Sequence, residues 1–215
     1  MNKNISKLHL DLLDKKRQEL LQKLIPYVAN FVLSGGTALS LQLGHRKSFD
    51  FDFFSSLMIP KKLLEKLSKT IRIKNVAVDT SDELTFFTEN NIKVTFLYYP
   101  FKTRLKPIKA INGLWLFSVK EIALQKAYTI GRRGEYRDYF DLYTMLTKGF
   151  INLNKLISET KNVYGALFDE KLFLEQLVYF GDISNFEIIP VTKASLPKPD
   201  EIKRYLEGLV KAYLF

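Results

Sequence analysis

The chain has 215 residues, with 33 Lys and Arg against 23 Asp and Glu and a formal charge of +10. It contains no cysteine, which excludes disulfides, thiolate zinc sites and cysteine nucleophiles, and its two histidines leave little scope for histidine-based metal sites or relays. Hydrophobic residues reach 47%, including 17 Phe and 11 Tyr, so a sizeable core is affordable and intrinsic disorder is excluded as the main state. No apolar run attains the ~18 to 20 residues of a membrane span, and the start MNKNISKLHLDLLDKK lacks a signal peptide's apolar centre. A cytoplasmic protein with no membrane association is therefore expected. The basic excess has two readings: a polyanionic partner such as nucleic acid or a phosphate-bearing substrate, or a lysine-rich composition with no specific purpose. Lysines are spread along the chain in short pairs such as Lys15-Lys16 and Lys61-Lys62, so charge alone leaves both open.

In chain order, the first expected element is a helix over residues 5–25, where Ile5, Leu8, Leu12, Leu13, Leu20, Leu21 and Leu24 recur until Pro26. Phe31-Val32-Leu33 reads as a short buried strand running into Ser34-Gly35-Gly36-Thr37. A short helix bearing Ala38, Leu39, Leu41 and Leu43 follows and stops at Gly44. Phe49 to Phe54 alternates as a strand, and residues 60–69 suit a helix. Three strands are expected near residues 71–78, 84–88 and 92–99, the last two joined as a hairpin by Asn90-Asn91, which tolerate positive φ. Trp115 and its neighbours add a short edge strand. From Val119 the period turns helical, predicting helices near 119–131, 136–148, 152–163 and 170–180. After Pro190, Pro197 and Pro199 a last helix is expected near 200–214. The fold class is α/β (α+β): a small mixed-sheet core with an N-terminal helix over residues 1–117, then a helical bundle over 118–215.

The segment FVLSGGTALSLQLGHRKSFDFDFF, residues 31–54, carries the chemistry. A strand ending in two glycines leaves backbone N–H groups open to close approach, and the following helix aims its positive N-terminus at the same place. An anion or phosphate is favoured there, with Ser34 or Thr37 able to add a hydroxyl. A plain tight strand-to-helix turn is the alternative reading of Gly-Gly alone. Asp50 and Asp52 shift that balance, because strand residues two apart share a face with Cα atoms roughly 6.6 Å apart. Two like charges on one face, alternating with Phe49, Phe51 and Phe53, make poor sense as structure alone. A divalent cation resolves the repulsion: Mg²⁺ takes hard carboxylate oxygens and binds through one or two carboxylates plus substrate phosphates.

Gly-Gly, a helix and then Asp-x-Asp on the next strand resembles the polymerase-beta-like nucleotidyltransferase superfamily. More narrowly, GGTALSLQLGHRKSFDFDFFS is similar to the AbiEii/AbiGii-type nucleotidyltransferases, toxin components of type IV toxin–antitoxin (abortive infection) systems. KEIALQKAYTIGRRGEYRDYFDLYTML, residues 120–146, is similar to that family's helical motifs, a Lys on one helix and Arg-Asp-x-x-Asp-Leu on the next. The resemblance implies a nucleotidyltransferase core followed by a helical bundle. It implies that Gly35, Gly36 and Thr37 cradle the triphosphate of an NTP, and that Asp50 and Asp52 hold Mg²⁺ or Mn²⁺. Lys126 would contact phosphate, Asp138 would complete the site as a polar or base-like residue, and Asp141 would be a more structural acid. Arg46 fits a phosphate or packing role. Read from the residues alone, Arg137, Asp138 and Asp141 at helical spacing are equally an ion-paired helix face.

One departure from the superfamily pattern stands out. A third carboxylate commonly sits on a later strand, where this chain reads Lys93-Val94-Thr95-Phe96-Leu97 and so offers Thr95. Glu89 and Asp79 are the nearby acids, and neither lies in that pattern. The resemblance implies transfer of a nucleotidyl group from an NTP to an acceptor, RNA such as a tRNA 3′ end, with a cognate antitoxin as partner. A non-catalytic nucleotide- or RNA-binding member of the fold and a phosphotransferase are the rival readings. In the enzymatic reading, positive charge matters at Arg46, Lys126 and the Arg132-Arg133-Arg137 cluster.

Overall fold

The computed structural model describes residues 8–110, 113–130, 132–192 and 196–215. The chain divides into two compact units, one comprising the chain up to Phe101 with Lys106–Ser118, the other Lys102–Leu105 with Val119 onward.

In the first unit a 3-10 turn, Leu10–Leu12, precedes helix α1, Lys15–Leu24. The helix starts later than its apolar spacing predicts because Asp14 caps it, accepting a hydrogen bond from the Arg17 N–H at 2.9 Å. Ile5 lies outside the described residues. Strand β1, Val32–Ser34, leads directly into helix α2, Gly35–Leu43, which closes on the left-handed Gly44. Strand β2, Phe51–Ser55, helix α3, Leu63–Ser68, and strands β3, Ile73–Asp79, β4, Glu83–Thr88, and β5, Lys93–Tyr98, follow. Two short strands, β6, Ile108–Lys109, and β7, Trp115–Leu116, complete a seven-stranded mixed sheet ordered β3-β4-β5-β2-β1-β7-β6. Asn91 takes a φ of 56° between β4 and β5, as the hairpin requires.

Period-two alternation decides what each sheet face does. Leu33, Phe51, Phe53, Leu84, Phe86, Val94 and Phe96 lie on one face and are fully buried. Phe53 and Phe96 stack at 5.3 Å between centroids, and Phe31 meets Phe96 edge-on at 4.9 Å. The opposite face carries the polar residues. Register places Ser34 opposite Asp52 on β2, Asp52 opposite Thr95 on β5, and Thr95 opposite Thr85 on β4. One row across four strands is therefore made of hydroxyls and a carboxylate, with the aromatic core behind it.

The second unit is helical: α4, Val119–Ile130, α5, Tyr136–Thr147, α6, Leu153–Tyr164, α7, Glu170–Val178, and α8, Pro199–Leu214. Helix α4 packs against α5, α6 and α7, while α8 packs on α5, α6 and α7. The expected elements of both units recur with ends shifted by a few residues, since capping rather than apolar period sets the ends.

Residues 102–105 join the second unit although they stand between β5 and β6 in sequence. The cause is Glu121, fully buried in α4, whose Oε2 accepts the N–H groups of Arg104 at 3.1 Å and Leu105 at 3.2 Å. Burial pushes the Glu121 carboxyl up, with those two donors and the Arg104 charge working against it. Arg104 also donates to Glu159 of α6 at 2.8 Å. No described helix is long and apolar enough to cross a membrane.

Candidate active site

The first unit assembles its site where β1 turns into α2. The two glycines, expected as a loop before the helix, are its first two residues. Gly35 has a φ of 66°, and a Cβ there would stand 2.5 Å from Asp52 Oδ2. At Gly36 a Cβ would stand 2.5 Å from Arg46 Nη2 and 2.9 Å from Ser48 Oγ. Both glycines are thus demanded by the chain's own polar groups: a carboxylate lies against the first and a guanidinium against the second. The N-terminal amides of α2 open among these groups, which is where the helix field favours an anion.

A substitution tests this packing. Gly35→Ala would force a Cβ into the left-handed region at a cost of about 1–2 kcal/mol and push Asp52 from its place. The expected result is a melting temperature lower by roughly 2–8 °C, read by circular dichroism.

Each remaining residue has a definite place. Ser34 is fully buried at the end of β1. Thr37, 1% exposed, gives its hydroxyl proton to the Asp50 carbonyl and shares a hydrogen bond with Ser48 Oγ at 3.1 Å. It therefore fixes the backbone that carries Asp50. Arg46, 3% exposed, donates to the Lys47 carbonyl at 3.1 Å, and Ser40 Oγ donates to the Arg46 carbonyl at 2.6 Å. Asp50 stands one residue before β2 begins, while Asp52 lies within it, so the two carboxylates share a segment but not one regular strand. Both side chains are half-buried.

Arg17 supports this segment from α1. Its Nε donates to the Phe49 carbonyl at 3.1 Å, and its guanidinium lies 4.3 Å over the Phe49 ring. Phe49 is accordingly half-buried under a cation, and does not join the apolar face with Phe51 and Phe53. Nothing local in the sequence marks Arg17, because its partner is 32 residues away.

Two carboxylates at the end of a strand, beside a helix N-terminus and a buried guanidinium, fit a hard divalent cation that takes its other oxygens from a polyphosphate. Among the described residues no group of three or more His, Asp or Glu is placed to hold a metal. Thr95 occupies the row position next to Asp52. Of the two nearby acids, Glu89 is exposed and pairs with Arg72 at 3.5 Å, and Asp79 is exposed at the end of β3.

The second unit holds the helical motif as a buried ion network. Lys126 of α4, 6% exposed, pairs through Nζ with Asp138 and, at 2.8 Å, with Asp141 Oδ2, both on α5. Asp138 and Asp141 are 1% and 0% exposed. Arg133 adds Nε to Asp138 Oδ2 at 2.9 Å. Burial pushes the Asp138 carboxyl up, but the charges of Lys126 and Arg133 outweigh it and hold it below the usual carboxylate range. The three arginines grouped by the sequence go separate ways. Arg132 lies 3.9 Å over the Tyr128 ring, Arg133 binds Asp138, and Arg137 faces Glu135 at 3.3 Å.

Comparison with known proteins adds a family. Residues 19–111 match the family described as nucleotidyl transferase AbiEii toxin, type IV TA system. The uncharacterised protein aq_aa25 of Aquifex aeolicus (strain VF5) is 31% identical over 209 residues, covering 94% of this chain and 98% of that protein. Among solved structures, a provisionally named nucleotidyltransferase from H. pylori aligns with a TM-score of 0.57 at 20% identity, over 93% of this chain and 95% of its own. JHP933 from Helicobacter pylori aligns with a TM-score of 0.50 at 20% identity, over 94% of this chain and 98% of its own.

Proposed function

The chain belongs to the AbiEii nucleotidyltransferase toxin family, and from that premise we propose that it transfers a nucleotidyl group from an NTP to an RNA acceptor. The observation that carries the proposal is the Asp52 carboxylate lying against Gly35 at the N-terminus of α2, with Asp50 two residues upstream. The α2 amides bind and orient the triphosphate, and the buried Arg46 adds positive charge at Gly36. Asp50 and Asp52 hold Mg²⁺ or Mn²⁺, which when bound neutralises the polyphosphate and lowers the barrier to charge development at phosphorus. Thr37 and Arg17 keep the Asp50 segment in place. The acceptor oxygen attacks the α-phosphorus, the bond to the bridging oxygen breaks, and pyrophosphate leaves.

The +10 charge supports a polyanionic acceptor, and the family suggests a cognate antitoxin as a protein partner. For Lys126 and Asp138 the proposal adopts the phosphate-binding and polar roles that the resemblance implies, exercised alongside their mutual ion pair. The test is incubation of the full chain with Mg²⁺, total RNA and each NTP labelled at the α-phosphate. Transfer of α-label into RNA by the wild type, and its loss in Asp50→Ala, is expected. Transfer from γ-labelled NTP alone would make the protein a phosphotransferase, and nucleotide binding without any transfer would make it a binding module.

A further inference from the structure

The polar row beside Asp52 continues into a chain of hydrogen bonds that ends on a carboxylate from another strand. Thr95 on β5 is the register partner of Asp52 and is 8% exposed. Its Oγ1 lies 3.2 Å from Thr85 Oγ1 on β4, and Thr85, 4% exposed, donates to Glu83 Oε1 at 2.6 Å. Glu83 is half-buried two residues before Thr85, so it shares that sheet face.

Counting protons fixes the direction of the chain. A hydroxyl has one proton to give, and an ionised carboxylate has none. Thr85 commits its proton to Glu83, so the bond between the two threonines is donated by Thr95 and accepted by Thr85. Thr95 is thereby left as an acceptor: its proton points towards β4, and its remaining lone pair is what it offers on the side of Asp52. Directly opposite residues on neighbouring strands stand roughly 4.5–5.5 Å apart at Cβ, close enough for one small group to touch both.

We propose that Glu83, acting through Thr85 and Thr95, positions the hydroxyl of the incoming acceptor and takes up its proton. This rests on the nucleotidyl-transfer reading above and adds to it a route for the proton. Thr95 Oγ1 accepts the hydrogen bond of the acceptor's O–H. As the acceptor oxygen bonds to the α-phosphorus and the bond to pyrophosphate breaks, that proton passes to Thr95, the proton of Thr95 passes to Thr85, and that of Thr85 passes to Glu83. Glu83 ends protonated and returns its proton to water, while both threonines are restored with their hydrogen bonds reversed until it does so. Glu83 and Thr85 are positioning residues, since only Thr95 touches the acceptor. The arrangement also selects an acceptor that presents an O–H donor, such as a ribose hydroxyl, because a lone pair on Thr95 holds nothing that lacks a proton.

The experiment measures kcat and KM for α-label transfer by the full chain and its Thr85→Val, Thr85→Ser and Glu83→Gln variants. Thr85→Val keeps the side chain's shape and removes the relay oxygen. It is expected to lower kcat about 100-fold with KM for the NTP within about twofold, and Thr85→Ser is expected to regain most of that loss. Glu83→Gln is expected to match Thr85→Val, and it carries the test if Thr85→Val fails to fold by circular dichroism. Wild-type kcat in Glu83→Gln, or equal losses in Thr85→Val and Thr85→Ser, would overturn the relay and leave the transfer reading standing. Absence of any transfer by the wild type would overturn both.

Discussion

Replacing Asp52 by Asn is expected to lower the rate of nucleotidyl transfer by about three orders of magnitude while the protein remains folded. The substitution preserves shape, and Asn can occupy the space beside Gly35 that Asp52 Oδ2 fills. What it removes is one of two negative charges in a pair that stands in for a larger acidic cluster, since no group of three or more acids or histidines is assembled among the described residues. Metal-assisted charge stabilisation is worth several kcal/mol, and about 4 kcal/mol corresponds to a factor of roughly 1,000 in rate. With two carboxylates the loss of one is not buffered by a third. The check is the initial rate of α-label incorporation at saturating NTP, alongside Mn²⁺ affinity by electron paramagnetic resonance. Weakened Mn²⁺ binding together with the lost rate is expected. Unchanged Mn²⁺ binding would take Asp52 out of the metal site.

The same reasoning separates Asp52 from its supports. Arg17 and Thr37 hold the backbone around Phe49 and Asp50 and carry no ligand oxygen aimed at a phosphate. Arg17→Met is expected to cost transfer activity by at most about tenfold, in the range of lost outer-shell support, with Mn²⁺ binding reduced less than in Asp52→Asn. Steady-state kinetics with a Mn²⁺ titration distinguishes the two classes of residue.

Much of this was legible in the sequence, for a definite reason. Where one sheet face is buried, apolar alternation cannot slip by a residue without exposing the core, so Leu33, Phe51, Phe53, Leu84, Phe86, Val94 and Phe96 announce the strands. The Asn90-Asn91 turn pins the hairpin register, and that register already implies that Thr85 faces Thr95. Glu83 was therefore recoverable in principle, two residues before a threonine on the same face. It was missed because a search for an acid on the Thr95 strand does not look across to its neighbour. Gly35 and Gly36 were visible as glycines, but their cause, a carboxylate and a guanidinium from a later segment, depends on three-dimensional approach. The strap at residues 102–105 had no local signal at all, because the buried Glu121 that accepts its amides is 16 and 17 residues away. Asp138 and Asp141 showed their shared helix face through i, i+3 spacing, whereas the lysine between them comes from a different helix.

That lysine gives the largest expected effect on stability. In Lys126→Met, Asp138 and Asp141 remain buried without the ammonium that compensates both. Breaking a buried ion pair from one side costs about 3–5 kcal/mol, which for a chain of this size lowers the melting temperature by roughly 6–20 °C. Arg133 stays on Asp138, but its side chain is 58% exposed and compensates less than a buried partner. Acidification should narrow the gap. In the wild type the Asp138 carboxyl is held below its ordinary value, so its contribution is present above a pH of about 4 and is lost as pH falls through the lowered native value. In the variant burial is opposed by Arg133 alone, the carboxylates are more easily protonated, and a neutral carboxyl is cheaper to bury. Urea unfolding at neutral pH and near pH 4.5 is thus expected to show a larger difference at neutral pH. Removing the acids as well, in Lys126→Met/Asp138→Asn/Asp141→Asn, is expected to recover part of the loss, because the cost arises from uncompensated charge and not from missing volume. A Lys126→Met protein as stable as the wild type would mean that solvent or Arg133 already neutralises both aspartates, and the network would then have no role in holding α4 to α5.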